Sequence, residues 1–322
     1  MNAILQCFAH VEKLTKHLLQ RKEEIKSKKS TNKLVSSYLE VLENIWENNR
    51  IKDYIPNNFI GIINSMNPLF KEKPWNYSKD FISFLLENMH NELNRAKNIE
   101  QKNEDNSNQN NFYNSLYSFT SFFKDNFKSV ISDIFYGIYN SQTKCLDCND
   151  ITYDVNYYNI IIIPLEEVRL FKRYTKNTVT IKDCVEYNQK SDYITGENQI
   201  FCNKCKAKTN SVKNTALIKG PNVLIINLNR ERGHQFDVRL NFEEFIDIKQ
   251  FVYYKNSNSE YQLTGVVTQF GPSGIYEHFV AFCKSFVDGN WYRYNDSIVT
   301  RSNFQEAKST GVPYILFYSN IN

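Results

Sequence analysis

The spacing of apolar residues changes part-way along the chain. Over residues 1–97 they recur mostly at helical intervals. In "YSKDFISFLLENMHNELNRAK", Phe81, Leu85, Met89 and Leu93 repeat every four residues, with Phe84 and Leu86 beside them. Ser78 stands where an N-cap belongs, and Asp80 suits the positive end of the helix dipole. The opening "MNAILQCFAH" is helical too, since Ala3, Ile4, Leu5, Phe8 and Val11 share a face. No capping lead-in precedes it to satisfy the first N–H groups. "NIEQKNEDNSNQNN", residues 98–111, has no apolar period and reads as a flexible surface insertion.

From about residue 130 the period becomes two. "ITYDVNYYNIIIIPL", "NVLIINLNR", "YQLTGVVTQF", "HFVAFCKSF", "WYRYND" and "VPYILFYS" read as strands, and "LFKRYTKNTVTIKDCVEYNQKSDYI" as a strand with a short helix. Helices followed by an antiparallel sheet make an α+β protein.

Composition supports this. The 322 residues are 41% hydrophobic and 15% aromatic, with 23 Phe and 21 Tyr against only 10 Gly, which suits aromatic packing on sheets. A net charge of +4, spread along the chain, is too mild to argue for a nucleic-acid partner. No run reaches the roughly 18 apolar residues of a membrane span, and the first residues lack the basic and apolar regions of a signal peptide.

Four of the seven cysteines form two C-x-x-C pairs, Cys145/Cys148 in "KCLDCND" and Cys202/Cys205 in "FCNKCKAK". Two such turns can aim four thiolates at one zinc ion, with bonds of about 2.3 Å. The long interval between them puts the two knuckles at the tips of hairpins that meet in space. The alternative is four reduced structural thiols. A redox role fits less well, because neither pair opens a helix after a strand. Cys7, Cys184 and Cys283 lie in apolar patterns and read as core. A zinc-ribbon nucleic-acid binder would need a basic face near the knuckles, and "CLDCND" is acidic.

Near the C-terminus His278 begins an apolar strand after a Gly/Pro/Ser loop, and Asp296 follows another at "YND". Antiparallel strands joined near "VDGN" would bring the two together. An imidazole beside a carboxylate is the base and orienter of a nucleophilic triad. Read alone, the pair fits a surface His and a turn Asp better. His10, His17, His90 and His234 read as surface or locally bonded residues.

Together these pieces resemble the ubiquitin-specific protease family of cysteine deubiquitinases, over nearly the whole chain. "MNAILQCF" resembles the second half of its cysteine box, N-x-G-N-T-C-Y-M-N-S-x-L-Q-x-L. "YSKDFISFLLENMHNEL" resembles its Q-Q-D-A-x-E-F-L helix, and "IFYGIYNSQTKCLDC" its F-x-G to C-x-x-C stretch. "FCNKCKAKTNSVKNTALIKGPNVLIINLNR" resembles the second knuckle and the strand after it. "YQLTGVVTQFGPSGIYEHFVAFCKSFVDGNWYRYNDSIV" resembles the histidine box, and "YILFYS" the closing strand. The resemblance implies a papain-like fold shaped as a right hand. The single domain 1–322 would divide into a helical thumb over 1–125, fingers tipped by a zinc ribbon over 126–222, and a palm over 223–322. It implies ubiquitin and ubiquitinated proteins as partners, a monomer, and a cytoplasmic or nuclear location. His278 would be the base, Asp296 its orienter and Asn295 an assistant. Met1 would stand two residues after the nucleophilic Cys, so the expected Cys lies upstream and the chain alone is expected to be inactive. Cys7 lies roughly 12 Å further along the helix. Departures from the family pattern are Glu277 for Gly, Phe279 for Tyr, Gln269 for a frequent His, Tyr77 for Asp and Asp80 for Glu. A carboxylate at Glu277 would favour the protonated imidazole. The alternative function is an inactive pseudoenzyme that binds ubiquitin.

Overall fold

A computed structural model describes residues 1–47, 54–72, 78–96, 111–230, 237–254, 258–270 and 278–321. Tyr77, His234, Glu277 and residues 98–110 of the expected insertion lie outside the described residues. Asn111, the last residue of that insertion, is structured: its side chain accepts from the N–H groups of Tyr113 and Asn114 and caps the next helix.

The first part of the chain is helical, as its pattern predicts. It holds α1 (Asn2–Ala9), α2 (Glu12–Gln20), α3 (Lys22–Ser27), α4 (Lys33–Trp46), α5 (Asn57–Met66), α6 (Leu69–Glu72), α7 (Ser78–Leu93), α8 (Phe112–Asn126) and α9 (Val130–Phe135). The N-terminus of α4 is capped from a distance. Its N-cap residue, Asn32, makes no side-chain cap bond. Instead the Glu92 carboxylate, from α7, accepts from the N–H groups of Leu34 (3.0 Å) and Val35 (2.8 Å).

Strands follow: β1 (Gly137–Cys145), β2 (Ile151–Tyr158), β3 (Ile161–Pro164), β4 (Thr178–Thr180), β5 (Asp192–Ile194), β6 (Ile200–Cys202), β7 (Ala207–Thr209), β8 (Ser211–Lys219), β9 (Val223–Asn229), β10 (Arg239–Asn241), β11 (Phe245–Asp247), β12 (Glu260–Phe270), β13 (His278–Lys284), β14 (Trp291–Asn295), β15 (Ile298–Ser302) and β16 (Val312–Asn320). Between them lie α10 (Leu165–Phe171), α11 (Ile181–Asn188) and α12 (Phe304–Ser309). The main sheet runs β15-β14-β13-β12-β16-β9-β3, antiparallel except where β3 joins β9. A second sheet, β2-β1-β8-β5, carries the small β6–β7 hairpin beyond it.

The helical part packs on one face of the main sheet. Phe8 of α1 is fully buried, edge-on to Phe317 of β16 at 5.2 Å and tilted against Phe135 of α9 at 5.6 Å. Next to it the Cys7 sulfur reaches Cys283 Sγ at 3.8 Å. There a Cβ on Gly265 would stand only 3.0 Å from that sulfur, so the helix approaches β12 because Gly265 has no side chain. Cys184 is buried as well, so the three unpaired cysteines are core residues as expected. Among the described residues no helix is long and apolar enough to cross a membrane.

Two histidines are more buried than the sequence suggests. His10 is 2% exposed and His90 5%. His10 holds Gln6 O at 2.7 Å and the Tyr294 hydroxyl at 2.8 Å, and His90 holds Ser129 Oγ at 2.6 Å. His17 is half-buried.

Two stability predictions follow from these contacts. Glu92→Ala removes the remote cap, so the denaturant midpoint should fall by the equivalent of about 1–2 kcal/mol. Burial pushes the imidazoles of His10 and His90 down to about 4. In the unfolded chain they titrate near 6.5. Between pH 6.5 and 4 the unfolded chain therefore binds protons that the fold refuses, and stability should drop as pH falls through that window. Above about pH 7 this contribution is constant. Denaturation midpoints at pH 7, 6 and 5 test the slope, and His90→Gln should flatten it.

Candidate active site and metal centre

The β13–β14 hairpin sets the surroundings of His278. Its register pairs Ala281 with Tyr294 and Lys284 with Trp291, which carries the start of β13 to the end of β14. There the His278 ring Nε2–H donates to Asn295 Oδ1 at 2.5 Å. His278 is exposed and Asn295 half-buried. The sequence pointed to Asp296 as the direct partner and Asn295 as the assistant; the geometry reverses them. Asn295 pairs with Ile298, so Asp296 and Ser297 form a two-residue turn. Asp296 sits there at φ +51°, exposed at the tip. Hairpin turns of this length require positive φ, which Asp tolerates. The turn chemistry in "YNDSIV" was the overlooked signal.

Asp296 is not idle. The α-amino group of Met1 is buried, which lowers its pKa, and the Asp296 charge opposes that shift. The His10–Tyr294 bond ties the end of α1 to β14, about two and a half helical turns beyond Met1. Cys7 belongs to a different place. Its contact, Cys283, lies five residues along β13 from His278, roughly 16 Å at 3.3 Å per residue. Gln269 is 2% exposed, and its Nε2 has no partner among the described residues.

The four paired cysteines come together at the tip of the second sheet. Cys145 ends β1 and Cys202 ends β6, while Cys148 and Cys205 lie in the turns that follow. The two knuckles share a backbone conformation. The residue after each second cysteine has positive φ, Asn149 at +59° and Lys206 at +55°. Each turn is closed by a bond back to the first cysteine, Asn149 N–H to Cys145 O at 3.1 Å and Lys206 N–H to Cys202 O at 2.8 Å. All four sulfurs lie within 4.8 Å of one another, with Cys145–Cys205 at 3.9 Å and Cys148–Cys202 at 3.6 Å. A tetrahedron of 2.3 Å metal–sulfur bonds has edges of roughly 3.8 Å, so the site fits one metal ion. Thr209 beside the Cys145 sulfur holds that thiol down to about 6, whereas the neighbouring sulfurs hold the Cys205 thiol up. Four thiolates this close repel unless a cation sits among them.

Comparison with known proteins now decides the family. The chain matches the ubiquitin carboxyl-terminal hydrolase family over residues 1–318. It belongs to that family. It is 25% identical to ubiquitin carboxyl-terminal hydrolase 2 of Bos taurus over 328 residues, 99% of this chain and 53% of that protein. Ubiquitin carboxyl-terminal hydrolase 25 of Arabidopsis thaliana is 30% identical over 202 residues, 61% of this chain and 29% of that protein. The chain thus spans about half the length of the first of these curated relatives. Among solved structures, a chain of the SAGA DUB module bound to monoubiquitin superposes with a TM-score of 0.70 at 18% identity, covering 100% of this chain and 66% of the other. The fold is therefore the α+β, papain-like hand of the hydrolase family.

The metal fit can be tested directly. Titration with cobalt(II) should give the absorption of a tetrahedral thiolate site, saturating near one equivalent per chain. Cys202→Ser should weaken binding sharply while leaving the main sheet folded.

Proposed function

We propose that the chain is the catalytic domain of a thiol-dependent deubiquitinase that cleaves the peptide or isopeptide bond after the C-terminal Gly of ubiquitin. The His278–Asn295 contact carries this reading. With Nε2–H held by the Asn295 oxygen, Nδ1 is left as the base toward a thiol. In this reading His278 deprotonates the attacking Cys and later protonates the leaving lysine amine. Asn295 orients the ring. Asp296 supplies negative charge near the start of α1.

The nucleophile in this proposal is a cysteine two residues before Met1, as in the family's cysteine box. Support comes from the likeness of "MNAILQCF" to the second half of that box. An asparagine ahead of that cysteine would help hold the oxyanion. In the hand, residues 1–125 form the helical thumb, residues 126–222, with the second sheet and β6–β7, the fingers, and residues 223–322, with most of the main sheet, the palm. The metal is proposed to be zinc, structural, held by Cys145, Cys148, Cys202 and Cys205. Zinc accounts for an all-thiolate tetrahedral donor set without redox chemistry. Ubiquitin is the proposed partner and the protein is taken as a cytoplasmic or nuclear monomer.

The test uses a ubiquitin probe with a reactive C-terminus. The 322-residue chain should not label, and a form extended N-terminally by Asn-Thr-Cys-Tyr should label at that Cys. In the extended form His278→Ala should lower turnover by ~10³-fold or more. Asn295→Ala should cost more than Asp296→Ala. Labelling of the short chain at Cys7 would overturn the assignment of the nucleophile. An extended form that binds ubiquitin, stays folded and does not label would leave a ubiquitin-binding pseudoenzyme.

A further inference from the structure

A second recess lies at the other end of the molecule. It has a volume of about 730 Å³ and sits between α8 and the β1–β8 strands. Leu116, Phe123, Phe127, Ile138 and Ile218 line it. Phe123 and Phe127 stack with their centroids 4.7 Å apart, giving a flat aromatic wall. This size suits a compact ligand or a few side chains of a peptide.

Its rim is cationic. Arg95, Lys124, Lys128 and Lys219 line the recess against one carboxylate, Asp133. Asp133 already lies in the field of Arg95 and Lys219. Among the described residues Lys124, Lys128 and Lys219 form no ion pair, and all three are exposed. Such a rim around an apolar floor is complementary to an apolar group flanked by negative charges.

The recess is remote from the catalytic residues. Lys219 leads through Gly220 to β9, whose first residue Val223 pairs with Ser319, and Ser319 pairs with Gln262. His278 pairs with Phe270 at the other end of β12. Eight strand residues separate those points, roughly 27 Å.

We propose that this recess docks a short acidic peptide segment of a partner protein, with one bulky apolar or aromatic side chain seated against Phe123 and Phe127. Acidic residues on either side of that anchor pair with Lys124, Lys128 and Lys219. A lipid surface fits less well, because the apolar groups are recessed and the outermost groups are charged. A peptide held here leaves the His278 end of the sheet open. The inference does not depend on the deubiquitinase reading.

The probe is a dye-labelled Glu-Asp-Trp-Asp-Glu peptide, followed by fluorescence anisotropy on the 322-residue chain. Binding should be saturable, with Kd below about 1 mM. It should weaken when salt rises from about 50 to 500 mM. The Lys124→Glu, Lys128→Glu double variant should bind about tenfold more weakly. Both residues are exposed, and a melting temperature within about 2 °C of the parent shows that the variant folds. Replacing Trp by Ser in the peptide should weaken binding as much. Four results would each overturn the proposal: no saturable binding, an unaffected double variant, equal binding of Lys-Lys-Trp-Lys-Lys, or binding of palmitate where the peptide fails. None of them bears on labelling by the ubiquitin probe, which reads the opposite end.

Discussion

The seating of α1 against the main sheet holds the two halves of this protein together. Phe8 is clamped between Phe135 from α9 and Phe317 from β16. Cys7 fits into space that Gly265 leaves on β12 and meets Cys283 on β13. Two buried side chains thus bring a helix and three strands into register. Truncating a buried Phe of this kind in other proteins costs about 3–5 kcal/mol. The consequence reaches the site. With α1 fixed on β12 and β13, His10 at its C-terminal end reaches Tyr294 on β14. The placing of α1 beside β13 and β14 is therefore a result of core packing more than of the loops around it.

The second sheet is built on a different principle. β5, β6 and β7 are three residues each. Their outward faces expose Tyr193, Ile200 and Phe201. A hairpin so short buries too little apolar surface to hold its own shape. The matched knuckles replace that missing core. Asn149 and Lys206 accept the left-handed conformation that turns each chain back on its first cysteine. A metal held by the four sulfurs would tie together residues far apart in the chain, where loop-closure entropy makes a cross-link most effective. The α8 helix adds a smaller core where this sheet meets the thumb, through Leu116, Phe119, Ile138, Val155 and Ile218.

The sequence made the architecture legible wherever one period ran long enough. The helix over 78–93 and the strands at 223–229, 260–270, 278–284 and 312–320 follow directly from spacing. The paired cysteines were legible because ligand spacing is a local constraint. What stayed hidden depended on register or on distant partners. Asn295 and Asp296 are adjacent, and each carries a side-chain oxygen suited to an imidazole. Only the pairing of Asn295 with Ile298 places one on the strand and the other on the turn. A one-residue choice of this kind exchanges the faces of a strand, and composition does not decide it. His10 and His90 read as surface or locally bonded residues; His10 does bond locally to Gln6 O, but the burial of both comes with partners remote in sequence, Tyr294 and Ser129. The same holds for the Glu92 cap on α4.

The palm sheet also separates two kinds of chemistry by its length. At one end an imidazole and an amide stand 2.5 Å apart in a hydrogen bond. At the other end stand fixed cations around an aromatic recess. Charges that far apart are screened from one another by solvent beyond about 8–10 Å at physiological salt. The basic rim therefore exerts little direct electrostatic force on the His278 end of the sheet. Coupling between the two ends, where it exists, has to pass through packing. The available path is mechanical: Ile138 and Tyr136 follow α9, α9 carries Phe135, and Phe135 clamps Phe8 on α1. A ligand that shifted α9 would act on α1, which packs against β13, the strand that His278 begins.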